Sequence, residues 1–218
     1  MSAAPASKNG ASAVNVFTNL GGDVGSSVSW LAGLSYYQTS PVDRAYDDPL
    51  NGISNSFTGR SGLWALSGVL KWAPNGNATS TSLKLQGEYY RRTENGDLTF
   101  DPAGAALTDS YTGHQSGWYA QAVYQFMPKW RVGYRFDQLD SGTTTIGLVD
   151  SGTLTPADFP ILAEYKPKRQ TAMLDWSPSE FSRLRLQFAR DYVRMGEPDN
   201  QVFLQYIVSL GAHGAHKF

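Results

Sequence analysis

Val202-Phe-Leu-Gln-Tyr-Ile-Val-Ser-Leu-Gly-Ala-His-Gly-Ala-His-Lys-Phe218 sorts its residues by alternation. Val202, Leu204, Tyr206, Val208, Leu210, Ala212, Gly214, His216 and Phe218 fall on one side. Side chains alternate faces along a strand, so this register gives one mostly apolar face that ends in a ring. A soluble domain gains little from finishing on such a stripe. The closing strand of an outer-membrane barrel needs it, because one face meets hydrocarbon and the other the lumen. The stretch predicts an all-β, transmembrane, antiparallel up-and-down β-barrel.

Upstream the pattern recurs. Strands are predicted near 14–20, 27–37, 63–72, 82–92, 117–126, 130–139, 169–176 and 183–193, with no convincing helical period. In 82–92, Leu83, Leu85, Gly87 and Tyr89 oppose Lys84, Gln86, Glu88, Tyr90 and Arg92. In 130–139, Trp130, Val132, Tyr134 and Phe136 oppose Arg131, Gly133, Arg135 and Asp137. The connections alternate as well. Met127-Pro128-Lys129 and Ser177-Pro178-Ser179-Glu180 are tight turns, 21–26 and 74–81 are short, and long polar loops are expected over 39–62, 93–116 and 140–168. Short periplasmic turns alternating with long extracellular loops are the outer-membrane pattern; the short connection 195–200 departs from it.

Composition bounds the reading. The 218 residues suffice for one barrel domain, and the net charge of -1 gives no ground for nucleic-acid binding. A mean hydropathy of -0.35 resembles an ordinary soluble protein, but alternation halves the apolar content of every strand. No run approaches the roughly 18 apolar residues a membrane helix needs. Aromatic residues make up 13% of the chain, with twelve Tyr and six Trp, which favours interfacial girdles. Zero Cys suits a compartment in which thiols oxidise. Met1 leads into small and polar residues without the apolar core of a secretory signal, so a mature form or a fragment is expected. Residues 1–12 read as a disordered lead or linker, and 13–218 as an outer-membrane β-barrel domain incomplete on its N-terminal side.

Aromatic positions supply a geometric check. Trp72, Phe126, Trp130, Trp176 and Phe218 adjoin short turns or the terminus, whereas Tyr36, Trp64, Tyr89, Trp118, Phe136 and Tyr192 lie toward the long loops; Trp30 joins the girdle set. Trp64 to Trp72 and Trp118 to Phe126 are each eight residues apart. At roughly 3.3 Å per residue and a tilt near 40°, that spans about 20 Å, close to the apolar belt of such barrels. Strand parity poses a difficulty. Nine strands with a periplasmic C-terminus put the N-terminus outside, and bacterial single-chain barrels have an even number. Either 14–20 does not span, or a strand lies upstream.

The segments Trp176-Ser-Pro-Ser-Glu-Phe-Ser-Arg-Leu-Arg-Leu-Gln-Phe188, Asp199-Asn-Gln-Val-Phe-Leu-Gln-Tyr206 and Ser209-Leu-Gly-Ala-His-Gly-Ala-His-Lys-Phe218 resemble a proteobacterial family labelled zinc-regulated outer-membrane receptors or porin-like barrels. The resemblance is to the C-terminal half of that family. It implies that N-terminal strands are absent here; apart from the resemblance, another protomer is the alternative partner. The resemblance also implies metal uptake, a plug and an energy-coupling box, which some twelve lead residues cannot hold.

The inward set is Lys84, Glu88, Arg92, Arg131, Arg135, Asp137, Arg169, Asp175, Arg183, Arg185 and Asp191. Such a largely basic wall would favour anions in a water-filled lumen. The plainer reading is a charge ladder that fills a narrow barrel. His213 and His216, three apart, point to opposite faces of a strand and suit one metal ion poorly, so no metal or other cofactor is expected. Asp43, Asp47, Asp48, Asp101, Asp109, Asp150 and Asp158 could hold cations outside, but read better as solvated loop charge. A hydrolase would have to rely on His114, with no nucleophile elbow near it. The expectation is therefore a non-enzymatic, porin-like barrel of a Gram-negative outer membrane, passing small and by preference anionic solutes. Its partners are outer-membrane lipid and, through the closing strand, the barrel-assembly machinery. A plugged or non-conducting barrel acting through its loops is the alternative.

Overall fold

β-branched and aromatic residues at every second position cannot bury a helical stripe, and they pair as strands instead. The computed structural model describes residues 13–194 and 196–210. Ten strands form one sheet: β1 (Ala13–Val24), β2 (Val28–Thr39), β3 (Arg44–Asp48), β4 (Ile53–Trp72), β5 (Ser82–Phe100), β6 (Leu107–Met127), β7 (Trp130–Ile146), β8 (Lys168–Ser179), β9 (Ser182–Asp191) and β10 (Asp199–Val208). Sequential neighbours pair antiparallel in the order β1-β2-β4-β5-β6-β7-β8-β9-β10, and β3 pairs beside β4. Among the described residues no pairing joins β1 to β10, so the sheet has two open edges. The β6–β7 turn is closed by Lys129 at φ 72, and the β1–β2 turn by Gly25 at φ 62.

Several expectations change. The first segment, expected near 14–20, is longer: β1 pairs with β2 along all twelve of its residues. The stretches 53–62, 93–100, 107–116 and 140–146, expected within long loops, continue β4, β5, β6 and β7. The connection after β7 holds a short α-helix, α1 (Gly147–Asp150), and two 3-10 turns, Pro156–Asp158 and Pro160–Leu162. The closing strand is described only through Val208; His213, His216 and Phe218 lie outside the described residues.

The small buried core sits at one end of the sheet. Phe57, Leu98, Tyr111 and Ile146, from four adjacent strands, receive Leu148 of α1 and Phe159 of the same connection. Phe57 meets Tyr111 edge-on at 5.5 Å, and Phe100 meets Phe159 likewise at 5.6 Å. The strands approach closely there because Gly59 faces Gly96: a Cβ on Gly59 would lie 2.4 Å from the Asn95 carbonyl oxygen.

Candidate functional site

Cross-strand register assigns every side chain to one of two faces, since directly paired residues point the same way. One row runs Trp30, Leu70, Leu85, Ala122, Tyr134, Ala172, Phe188, Val202. A second carries Val132, Leu174, Leu186 and Leu204. This apolar face is left open: Leu66 is 55% exposed, Leu186 50% and Leu204 73%. It carries the aromatic bands expected from spacing. Toward the long connections Tyr36 meets Trp64 at 4.6 Å, and Trp118 meets Phe136 at 5.2 Å. Beside the short turns Trp130 stacks on Trp176 at 6.0 Å. Trp72 and Phe126 lie at that same end, while Trp30 and Tyr89 share the face. Tyr192 sits just past β9, its ring 5.3 Å from both Lys168 Nζ and the Arg190 guanidinium.

The opposite face is polar and better covered. All eleven charged residues expected inward share it, in rows such as Glu88, Tyr119, Asp137, Arg169, Asp191 and Arg131, Asp175, Arg185. Asp175 is buried, accepting two hydrogen bonds from Arg185 (Nε at 2.6 Å, Nη2 at 2.8 Å) with Arg183 Nη1 at 3.9 Å. Arg131 donates through Nε to Gln125 at 3.1 Å, and Gln125 is fixed by donating to the Ala78 and Thr79 carbonyls. Arg135 donates to Asp137 at 2.6 Å and lies 3.7 Å over the Tyr119 ring. Arg169 reaches Asp191 at 3.6 Å and donates to Gln201 at 3.0 Å. Arg135, Arg169 and Arg185 line a cavity of about 560 Å³, with Gly133, Thr171 and Met173 on its wall.

Along β4 to β7 the apolar residues change sides. In the stretch near the short turns, Leu66, Leu70, Leu85 and Tyr89 point outward, and Ser67, Lys71, Lys84 and Glu88 point to the polar face. Beyond Ser61 and Glu94 the outward positions are polar (Thr58, Asn95, Asp97), whereas Phe57 and Leu98 turn to the other face. On β6 and β7 the same change follows the bulge between His114 and Ser116, so that Thr143 and Thr145 point outward and Ile146 pairs with Tyr111. Each long strand thus has one segment that is apolar outside and one that is apolar inside. Sequence reading missed the second segment and its ion cluster, in which the buried Glu94 is paired by Arg92 and by Arg44 at 2.8 Å.

Other candidates settle into the fold. Asp48, expected to be solvated, is buried and accepts from the amides of Leu50 at 3.0 Å and Asn51 at 3.3 Å, shaping the β3–β4 turn. Two residues before it on β3, Tyr46 faces Asn55 of β4, and the Tyr46 Oη and Asn55 Nδ2 are buried without a hydrogen bond of normal geometry. Burial, with Tyr111 and Asp48 nearby, raises the Tyr46 phenol above the usual tyrosine range. Asp158 caps its 3-10 turn, accepting from the Thr155 amide and hydroxyl, both at 2.8 Å; these bonds lower its carboxyl below the usual range. His114 stands on β6 and not in a loop, its Nδ1 3.5 Å from Thr93 Oγ1. Among the described residues no group of three or more metal-ligating side chains assembles, and no helix is long and apolar enough to cross a membrane.

No family model and no solved structure matches the chain. A curated protein of Aquifex aeolicus, named only as an uncharacterized protein, is 29% identical over 202 residues, covering 90% of this chain and 38% of that protein. The chain therefore spans well under half the length of the curated relative it matches.

Proposed function

We propose that this sheet is the wall of an outer-membrane β-barrel in which β1, β2 and the short-turn halves of β4 to β10 cross the hydrocarbon. The carrying observation is the change of sides along β4 to β7. A single solvent cannot favour Leu66 and Leu85 outside on one stretch of a strand and Phe57 and Leu98 inside on the next. Hydrocarbon around the first stretch and water around the second accounts for both. The polar face then lines the interior, and the segment 147–163 packs over it on the long-loop side.

The open edges bear on closure. Nine strands in antiparallel series leave β1 and β10 running in the same direction, so joining them directly would create a parallel seam. An odd number of further strands between them gives an antiparallel barrel with an even total, the bacterial arrangement. The matched relative has length to spare for such strands.

Within this wall we read passive diffusion of small solutes, with anions preferred because guanidinium groups dominate β7 to β9 of the interior. A second reading, a plugged barrel that works through its outer loops, is favoured by the anchoring of Leu148 and Phe159 on the interior face. Reconstitution tests both. The full-length protein, refolded into vesicles of bacterial lipid and then examined in planar bilayers, is expected to insert and give discrete conductance steps with an anion-biased reversal potential. Insertion without conductance would select the plugged barrel. A chain that stays monomeric in water and ignores vesicles would refute the membrane reading.

A further inference from the structure

The positive charge of the polar face is concentrated at one end. In the rows nearer the long connections, acids match bases: Arg135 is taken by Asp137 and Arg169 by Asp191, and Glu88 faces the same row. At the short-turn end Arg131, Arg183 and Arg185 surround one carboxylate, Asp175, with Lys71 and Lys84 paired side by side further along the same face. Asp23, on the edge strand β1, also lies at that end of the face. Asp175 is committed to Arg185 by two short bonds, and Arg183 is left at 3.9 Å. Arg131 stands opposite Asp175 on β7, yet among the described residues it makes no ion pair; its Nε goes to the neutral Gln125. The Nε of Arg183 is buried and has no hydrogen-bond partner among the described residues.

A buried guanidinium donor without an acceptor forfeits its hydration with nothing in return, and native structures rarely leave one idle. Two guanidinium groups beside a carboxylate already engaged by a third offer charge and fork-shaped donors that one more acceptor would satisfy. We propose that the short-turn end of the polar face binds a compact oxyanion, a carboxylate or phosphate group, between Arg131 and Arg183. This deepens the anion preference argued above and rests on that face being wetted. Arg185 and Asp175 act as the fixed floor: their mutual bonds offset the Asp175 charge beside the incoming anion. The charge-balanced rows toward the long connections would then serve as passage and not as site.

The test uses the full-length protein folded in detergent, with inorganic phosphate and acetate as probes and titration calorimetry as readout. Phosphate is expected to bind at one site. R131Q and R183Q should each weaken it at least about tenfold, the effect of losing a charged hydrogen bond. R135Q, in a balanced row, should change it less than about twofold, and R131K, which keeps the charge, should recover part of the loss. Circular dichroism and retention of the heat-sensitive folded band establish that each variant folds. Absence of binding by both probes, or equal losses in R135Q and R131Q, overturns the site. Planar-bilayer reversal potentials separate this from the pore. Phosphate binding without current upholds the site and overturns the pore, whereas current whose anion bias survives R131Q and R183Q overturns the site.

Discussion

Tyr46 and Asp48, two residues apart on β3, have opposite relations to their surroundings. The Tyr46 hydroxyl is buried without a proper acceptor, so Y46F removes a polar group that gains nothing from folding. It is expected to leave stability unchanged within about 0.5 kcal/mol, or to raise it, by urea titration. D48A strips the acceptor of two turn amides and should cost about 1–3 kcal/mol by the same measurement. At Asp175 the loss is larger. D175A would leave Arg185 without the buried carboxylate that it bonds twice, at a cost of about 3 kcal/mol. Asp158 gives a pH dependence whose sign follows from its lowered carboxyl. The contribution of the Thr155 cap is complete above the ordinary carboxylate range, near pH 4, and is lost as pH falls through the still lower folded value. The protection factor of the Thr155 amide should fall on acidification through that window, and D158N should abolish the change.

The segment 147–163 is the element whose loss the paired strands near the short turns should tolerate. F159A removes a buried ring from the small core at the far end, a truncation worth about 3 kcal/mol. The prediction is that cleavage by added protease within 147–163 becomes fast while Trp130 and Trp176 keep their fluorescence. If the wall encloses a pore, the same variant should raise conductance. The strands near the short turns were legible because Leu83, Leu85 and Tyr89 keep a constant side against Lys84, Gln86 and Glu88. Their continuations were not. Once the outer positions become Thr93, Asn95, Asp97 and Thr99, and Gly96 falls among them, the composition imitates a turn. The remaining signal was Glu94, Gly96, Leu98 and Phe100 on the opposite parity, which signifies a strand only if the apolar side is allowed to change midway. Parity alone put these charges on one common face but did not give their pairing. Nothing in spacing says that Asp175 bonds Arg185 and leaves Arg131 to Gln125, because that depends on rotamers and on the Ala78 and Thr79 carbonyls that hold Gln125.

At the scale of the whole sheet the decisive question is which solvent touches Leu186. Its neighbour Gln187 points to the other face, so a matched pair of substitutions separates the cases. With the protein folded in vesicles, L186K should cost about 2–4 kcal/mol and Q187K little, since a lysine at mid-belt must face lipid only in the first. On a water-exposed face L186K would instead change stability by less than about 0.5 kcal/mol. Urea unfolding of the two variants in vesicles gives the answer. The strands are also unequal: β5 and β6 have 19 and 21 residues, β9 and β10 have 10 each. At about 3.4 Å per residue the first pair extends roughly 30 Å further along the strand direction than the second. The rim in such a setting is a parapet on one flank and a low sill on the other. Antibodies raised against intact cells should map to the parapet, and a molecule gliding over the surface should cross at the sill.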